Sequence, residues 1–267
     1  MKILLLDGYN LIYRARSGFA VGQWPVVFNF IRSLKPLVEK FNPDLVYFVL
    51  EGKPVKRINI LPEYKANRVR ELDKSFINQR GRIIEIVQSY LPITTIKHLQ
   101  HECDDVIASL IKQRHKNDHC VVVSTDTDFI QLLNLKNHIV TLYNPVKKKV
   151  IEQPSYDYVA WKALRGDNSD NIRGIKGIGD KRATALMTSK SMLNEFLNKD
   201  SLNKKIFEKN YSLIQFENVD LNESYEVKSK YDADSLYKLF EDLEFSSMIN
   251  ETYWPKFNSV FSKLKRI

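Results

Sequence analysis

Short, unbroken apolar runs recur along this chain, and each is closed by acidic residues. Ile3 to Leu6 ends in Asp7-Gly8, Leu45 to Leu50 ends in Glu51-Gly52, and Cys120 to Ser124 runs into Thr125-Asp126-Thr127-Asp128. Apolar runs of this length without alternation predict strands buried on both faces, as in a parallel sheet. Between the runs the spacing becomes helical. Val27, Phe30, Ile31, Leu34, Leu37, Val38 and Phe41 share one face of a helix that Asn42-Pro43 ends, and Phe76, Ile83, Ile84, Ile86, Val87 and Leu91 share another that Pro92 stops. A short PITTI strand, a helix over DDVIASLIKQR, an apolar helix over FIQLLNL and a further strand from His138 to Tyr143 complete the series. This alternation predicts an α/β fold with a mainly parallel central sheet wrapped by helices, whose ligands lie beyond the carboxyl ends of the strands. Asp7, Glu51, Asp126 and Asp128 all fall there.

After Tyr156 the pattern turns helical, which predicts a core over residues 1–155 and a helical lobe with C-terminal helices over 156–267. Leu236, Leu239, Phe240 and Leu243 give the last stretch an apolar face that packs back on the body. The segment LRGDNSDNIRGIKGIGDKRATAL, from Leu164 to Leu186, carries two kinds of chemistry. Asp167 and Asp170, three apart, would share one face of a helical turn and could hold a cation jointly. Gly174, Gly177 and Gly179 then let the backbone approach a phosphate chain, and Asp180 is placed to cap a helix beginning near Lys181. A glycine-rich turn between helices is common by itself, so its reading as metal beside a DNA backbone leans on the rest of the chain.

With 267 residues and 43% hydrophobic content the chain can bury a sizeable core. The N-terminal apolar run is too short for a signal peptide, and no run approaches membrane-spanning length, so a cytoplasmic protein is expected. Cys103 and Cys120 are too few for a disulfide framework and read as reduced packing residues. Lys and Arg number 41 against 32 Asp and Glu, a net charge of +9 that suits a polyanionic partner. The excess is concentrated between Lys53 and Arg82, where nine basic residues face three acidic ones.

Against that basic background stand Asp7, Glu51, Glu102, Asp104, Asp105, Asp126, Asp128, Asp167 and Asp170, all at strand or helix ends. So many neighbouring carboxylates ionise together only if cations offset their repulsion. An oxygen donor set favours Mg²⁺ or Mn²⁺ over zinc, and two such ions roughly 3.5–4 Å apart are a general device for phosphodiester hydrolysis. His98 and His101 beside Cys103 fit surface or packing roles better than a zinc site.

The motifs DGYNLIYRA, LPEYKANR, HECDD, VSTDTDF and LRGDNSDNIRGIKGIGDKRA closely resemble those of the flap endonuclease superfamily, in its phage and bacterial 5′-3′ exonuclease branch, and LEFSSM resembles the end of the 5′ nuclease domain of bacterial DNA polymerase I. The resemblance implies a PIN-like nuclease core, a helical arch at about 53–92 and a helix-hairpin-helix DNA-binding motif. It places Asp7, Glu51, Glu102 and Asp104 at a first metal, and Asp104, Asp126, Asp128, Asp167 and Asp170 at a second, with Asp105 adjacent. It gives Lys65 and Arg68 the scissile phosphate, with Tyr64 and Arg70 beside them. It gives the duplex backbone to Arg173, Gly174, Lys176, Gly177, Gly179, Lys181 and Arg182, with K⁺ at the hairpin carbonyls. Glu51 departs from the aspartate more usual in the family, which moves that carboxylate one methylene outward.

The expected activity is a structure-selective 5′ nuclease, a flap endonuclease and 5′-3′ exonuclease, acting as a monomer on branched or double-stranded DNA with a 5′ end or flap. Two rivals stand beside it. A non-catalytic DNA-junction binder would need no metal, and a PIN-type ribonuclease or a nuclease of RNA/DNA hybrids would share the sheet and several of the acids.

Overall fold

The computed structural model describes residues 1–68 and 73–265. β1 (Lys2–Asp7) leads into α1 (Gly8–Ala15) and α2 (Pro25–Phe41), and β2 (Leu45–Leu50) into α3 (Val55–Ile60) and α4 (Lys74–Tyr90). β3 (Thr94–Lys97) is followed by α5 (Cys103–Ser109), which loosens into a π-helical turn, and β4 (His119–Val123) by a 3₁₀ helix over Thr127–Asn134. A hairpin of β5 (Ile139–Asn144) and β6 (Lys149–Val150) precedes α6 (Tyr158–Arg165). Next come the two-residue strands β7 (Gly166–Asp167) and β8 (Ile172–Arg173), then α7 (Asp180–Leu186), α8 (Lys190–Asn198) and α9 (Ser201–Ile214). β9 (Tyr225–Lys228) returns to the sheet before α10 (Ala233–Asp242), α11 (Ser246–Ile249) and α12 (Tyr253–Phe261).

The main sheet has the order β6-β5-β4-β1-β2-β3-β9, parallel from β5 through β3 and antiparallel at both edges. Its two-sided burial explains the apolar runs. In β1, Leu4 and Leu6 face a core shared with α1, α2, α4 and α10–α12, while Ile3 and Leu5 face a second core with α5 and the 3₁₀ helix. β2 and β4 split in the same way, Phe48 and Val123 to one side and Tyr47 and Val122 to the other. From β1 the chain winds outward to β2 and β3 in one direction and to β4 and β5 in the other. The crevice beyond the carboxyl ends of β1 and β4 is therefore the topological switch point, where ligands of open α/β sheets bind.

The expected strands and most expected helices are present, and several details differ. β6 and β9 were not foreseen: one is two residues long, and β9, at a sheet edge, is exposed at both ends and half-buried between them. FIQLLNL forms a 3₁₀ helix rather than an α-helix. Asp167 caps a three-residue 3₁₀ turn that ends in Asp170, in place of a shared α-helical face. Asp180 is the first residue of α7 and pairs with Arg165 at 2.6 Å; the cap position belongs to Gly179. Phe76, Ile83, Ile86 and Val87 of α4 lie in the main core, so α4 is packed into the body, and within 53–92 the cleft is lined by Lys65 and Arg68. The helical lobe, α6 to α9, has two small cores, one of them shared with Leu61 and Tyr64 after α3, whereas residues from Phe216 onward rejoin the main body.

Gly52 shows how tightly one strand end is fixed. A Cβ there would meet the carbonyl oxygens of His98 and His101 at 1.9 and 2.4 Å, both on the loop that leads into α5. Gly52→Ala should cost more than about 1 kcal/mol, read by chemical denaturation, and should displace the loop that carries Glu102. A variant of unchanged stability would show that the loop yields freely.

Candidate metal centre and phosphate cleft

Most candidate carboxylates are held by a backbone contact. Asp7 ends β1 and caps α1, accepting from Asn10 N at 3.3 Å, while its other oxygen accepts from Ser124 Oγ at 2.6 Å. Glu51 follows β2 and accepts from Cys103 N at 3.3 Å. Glu102 caps α5, whose first turn carries Asp104. Asp126 caps the 3₁₀ helix after β4 through Asp128 N at 2.9 Å, and Asp167 caps its own turn through Ser169 N at 2.8 Å. Strand ends supply direction and helix starts supply partial positive charge, so acidic side chains are favoured there.

Asp7, Glu51, Asp104 and Asp126 line one open cleft of about 400 Å³, together with Lys65 and Arg68. Beside it Asp128, Asp167 and Asp170 converge, with one oxygen from each within 4.8 Å of the others. Tyr64 joins the two groups: its hydroxyl lies 3.0 Å from Glu102 Oε2 and 2.9 Å from Asp170 Oδ2. With its ring buried, Tyr64 braces carboxylates, which corrects its expected place on a DNA-binding surface. Among the described residues, these acidic clusters form an all-oxygen donor set that fits a hard divalent cation.

The electrostatics agree with that fit. Burial pushes the Asp7 carboxyl up to about 6, with the Ser124 hydrogen bond opposing and Asp126 reinforcing the rise. Burial and then Glu102 raise Glu51 to about 7. Burial raises Asp128 to about 7 against the pull of Lys162, and Asp104 rises well above the carboxylate range for the same first reason. Glu102 and Asp167 go the other way. Burial opposes their charge, but Lys65 and Arg57 outweigh it at Glu102, and Lys162 does so at Asp167. Carboxylates left protonated near neutrality for want of countercharge are what a bound cation would ionise.

Among the described residues, four basic side chains supply the countercharge present in the protein itself. Lys65 contacts Glu102 Oε1 and lies 3.7 Å from Asp170, and Arg68 contacts Asp170 while its Nε donates to Ser169 O at 3.0 Å. Lys65 adopts a left-handed backbone, φ 57°, and its amide donates to Asp170 O at 3.0 Å, so the basic segment is pinned to the second cluster by main chain as well. Lys162, buried in α6, contacts Asp128 and reaches Asp167 Oδ2 at 2.5 Å. Arg57 is 2% exposed and lies between Glu102 and Asp105.

Arg57 and Lys162 were not singled out from the sequence, yet a signal was there. Arg57, Leu61 and Tyr64 are four and then three apart and all buried, and Lys162 is the only charged residue within YVAWKAL.

Asp105 stands apart from the metal group it was expected to join. Its four acceptor positions are filled by Arg57 Nη1 (2.6 Å), Arg57 Nη2 (2.8 Å), Glu102 N (3.3 Å) and Glu217 N (2.8 Å). His101 and Glu217 lie nearby, but an Asp105 so engaged has no lone pair for an ion. Cys103 and Cys120 are free and buried, and Cys103 faces Asp7 and the Val49 carbonyl. On the lobe, Arg173, Lys176, Gly177, Gly179, Lys181 and Arg182 are exposed. A Cβ on Gly174 would strike Arg165 O at 2.1 Å, so only glycine lets the hairpin pack on the end of α6. Arg70 lies outside the described residues.

The family model described as 5′-3′ exonuclease, N-terminal resolvase-like domain, matches residues 2–162. DNA polymerase I of Caldicellulosiruptor bescii is 31% identical over 235 residues, 78% of this chain and 27% of the polymerase. The 5′-3′ exonuclease of Mycoplasmopsis pulmonis is 28% identical, covering 73% of this chain and 67% of that protein. The flap endonuclease of Escherichia phage T5 is 29% identical, covering 68% and 67%. The chain thus spans about a quarter of the polymerase relatives and two thirds of the shorter ones. Among solved structures, a bacteriophage T5 flap endonuclease in complex with DNA and metal ions superposes with a TM-score of 0.67 at 21% identity, covering 98% of this chain and 100% of that one. The catalytic core of Rad2 with DNA substrate superposes at 0.61 and 16% identity, covering 100% and 92%. These likenesses show that the chain has the 5′ nuclease fold. Among the described residues no helix is long and apolar enough to cross a membrane.

The raised carboxyls give a pH test. Asp7, Glu51 and Asp128 hold protons that the unfolded chain releases near pH 4. The folded state therefore binds more protons between about pH 4 and 7, and their contribution to stability falls as pH rises through that window. Glu102 and Asp167, shifted down, have delivered their stability by pH 5 and do not oppose the trend. The Tm of the metal-free protein should drop from pH 5 to 7.5, and the gain in Tm on adding Mn²⁺ should grow over the same range. A gain independent of pH would exclude these carboxylates as the binding groups.

Proposed function

The chain belongs to the 5′-3′ exonuclease family, and on that premise we propose that it is a structure-selective, metal-dependent 5′ nuclease, acting as flap endonuclease and 5′-3′ exonuclease on branched or double-stranded DNA. The observation that carries this reading is the cleft where Asp7, Glu51, Asp104 and Asp126 meet Lys65 and Arg68, with Asp128, Asp167 and Asp170 beside it. Glu51, Asp7, Glu102 and Asp104 are the first-ion ligands in this reading, and Asp104, Asp126, Asp128, Asp167 and Asp170 the second-ion ligands. Mg²⁺ is the expected ion and Mn²⁺ its substitute, and when bound they activate water and offset charge on the leaving oxygen.

The chain's own residues do the rest. Lys65 and Arg68, at the rim of the cleft, take the scissile phosphate and stabilise the charge that develops on it. Both are engaged with Asp170 and Glu102 in the free protein, so phosphate binding exchanges one anionic partner for another. The bond is broken by hydrolysis, leaving a 5′-phosphate, and no protein nucleophile is required. Arg173, Lys176, Lys181 and Arg182, exposed around the glycine hairpin, hold the duplex backbone, with K⁺ at the hairpin carbonyls as the resemblance implies. The division into a nuclease core over 1–155 and a DNA-binding lobe from 156 follows this division of labour. The protein works as a monomer in the cytoplasm in this reading.

The test is cleavage of a 5′-labelled flap in Mg²⁺ and in EDTA, with binding followed in Ca²⁺. Mg²⁺-dependent release of short fragments, lost in Asp126→Asn with binding retained, is the expected result; tight binding without cleavage in either Mg²⁺ or Mn²⁺ would leave a junction binder, and faster cutting of an equal RNA strand a ribonuclease. Lys65→Ala should reduce turnover far more than affinity. Arg182→Ala or Lys181→Ala should weaken duplex binding and flatten its salt slope by up to about one unit, and equal losses of binding in all three would overturn this assignment of roles.

A further inference from the structure

Among the described residues, Arg57 is the basic side chain that binds both Glu102 and Asp105. Its five N–H groups all have partners: Nε donates to Leu213 O at 2.8 Å, Nη1 to Glu102 Oε2 at 2.7 Å and Asp105 Oδ2 at 2.6 Å, and Nη2 to Asp105 Oδ1 at 2.8 Å and Gln215 O at 3.3 Å. Its charge is retained: burial works against it, but Asp105 and then Glu102 hold it well up. Glu102, 1% exposed, has its Oε2 gripped by Arg57 and by the Tyr64 hydroxyl at 3.0 Å, which leaves Oε1 as the oxygen turned toward Lys65 and the cleft.

Resting on the function proposed above, we propose that Arg57 is a positioning residue of the metal centre. It clamps one oxygen of Glu102 so that the other presents to the ion, and Asp105 orients Arg57. The two carbonyls it binds, at the end of α9, tie this clamp to the seating of the helical lobe. Arg57 itself touches neither substrate nor ion. An outer-shell group of this kind usually changes metal affinity by about 10–100-fold when removed.

The measurement is Mn²⁺ binding by calorimetry and electron paramagnetic resonance, without DNA, on the wild type, Arg57→Lys and Asp105→Asn. Lysine keeps the charge but cannot make the forked grip. Arg57→Lys is expected to weaken binding of the tightest Mn²⁺ by about 10–100-fold, with cleavage largely recovered at high Mn²⁺, and Asp105→Asn to weaken it in the same direction but less. Folding is checked by circular dichroism, because a lost buried cation can unfold the chain; if Arg57→Lys does not fold, Asp105→Asn decides. A folded variant with lowered Tm and unchanged Mn²⁺ affinity would reduce Arg57 to a structural ion pair and overturn the proposal. Failure of the wild type to bind Mn²⁺ would instead overturn the function on which it rests.

Discussion

The structure depends on one electrostatic constraint: carboxylates gathered at the sheet end repel one another where water cannot screen them. Desolvation and mutual repulsion raise Asp7, Glu51, Asp104 and Asp128, and a cluster left in that condition would favour protonation or opening. Arg57, Lys65, Arg68 and Lys162 keep it together, each contacting one or more of the acids. The basic segment after β2 is therefore part of the site's electrostatic balance as well as a concentration of positive charge along the chain. Removing one member of such a buried pair usually costs more than the pair contributes, because the other charge is left unpaired.

Topology makes the gathering possible. The switch point between β1 and β4 opens a crevice, and the neighbouring strands end in acids around it. The same acids cap the elements that follow, so one carboxylate oxygen is committed to a backbone amide while the other is left to meet a side chain, as in Asp7 with Ser124 and Asp167 with Lys162, or to face the cleft. Asp7, Asp126 and Asp167 all obey this rule, through Asn10, Asp128 and Ser169. Capping is a local interaction, and here it orients the groups of a non-local site before any ligand arrives.

The buried strands were legible in sequence because β1, β2 and β4 are apolar on both faces, and their acidic ends marked the cleft for the same reason. Less could be read where period and burial part company. β9 has no apolar period, since it lies at a sheet edge with no fully buried residue, and the 3₁₀ form of Thr127–Asn134 leaves the same apolar spacing as an α-helix. At the site, sequence patterns reveal which residues carry charge but not which charges face each other. Asp105 sits between Asp104 and Val106 in sequence and yet serves Arg57, while Lys162 joins a cluster from a helix whose other buried residues are apolar. Only long-range packing decides such pairings, and spacing along one helix carries no record of it.

The basic residues also divide by how firmly they are held, and the division suits the proposed activity. Arg57 is enclosed, with every donor used, so exchange of its partners would cost several hydrogen bonds at once. Lys65 and Arg68 retain 19% and 29% side-chain exposure at the mouth of the cleft, and their ion pairs are open to a competing anion. In the function proposed above, a phosphate that displaced them from Glu102 and Asp170 would return those carboxylates to the cleft as it arrived, whereas Arg57 would stay in place. Permanent and exchangeable countercharge are thus assigned to different residues of one segment, and on the proposed reading substrate entry would strengthen the demand for a cation in the place where the acids converge.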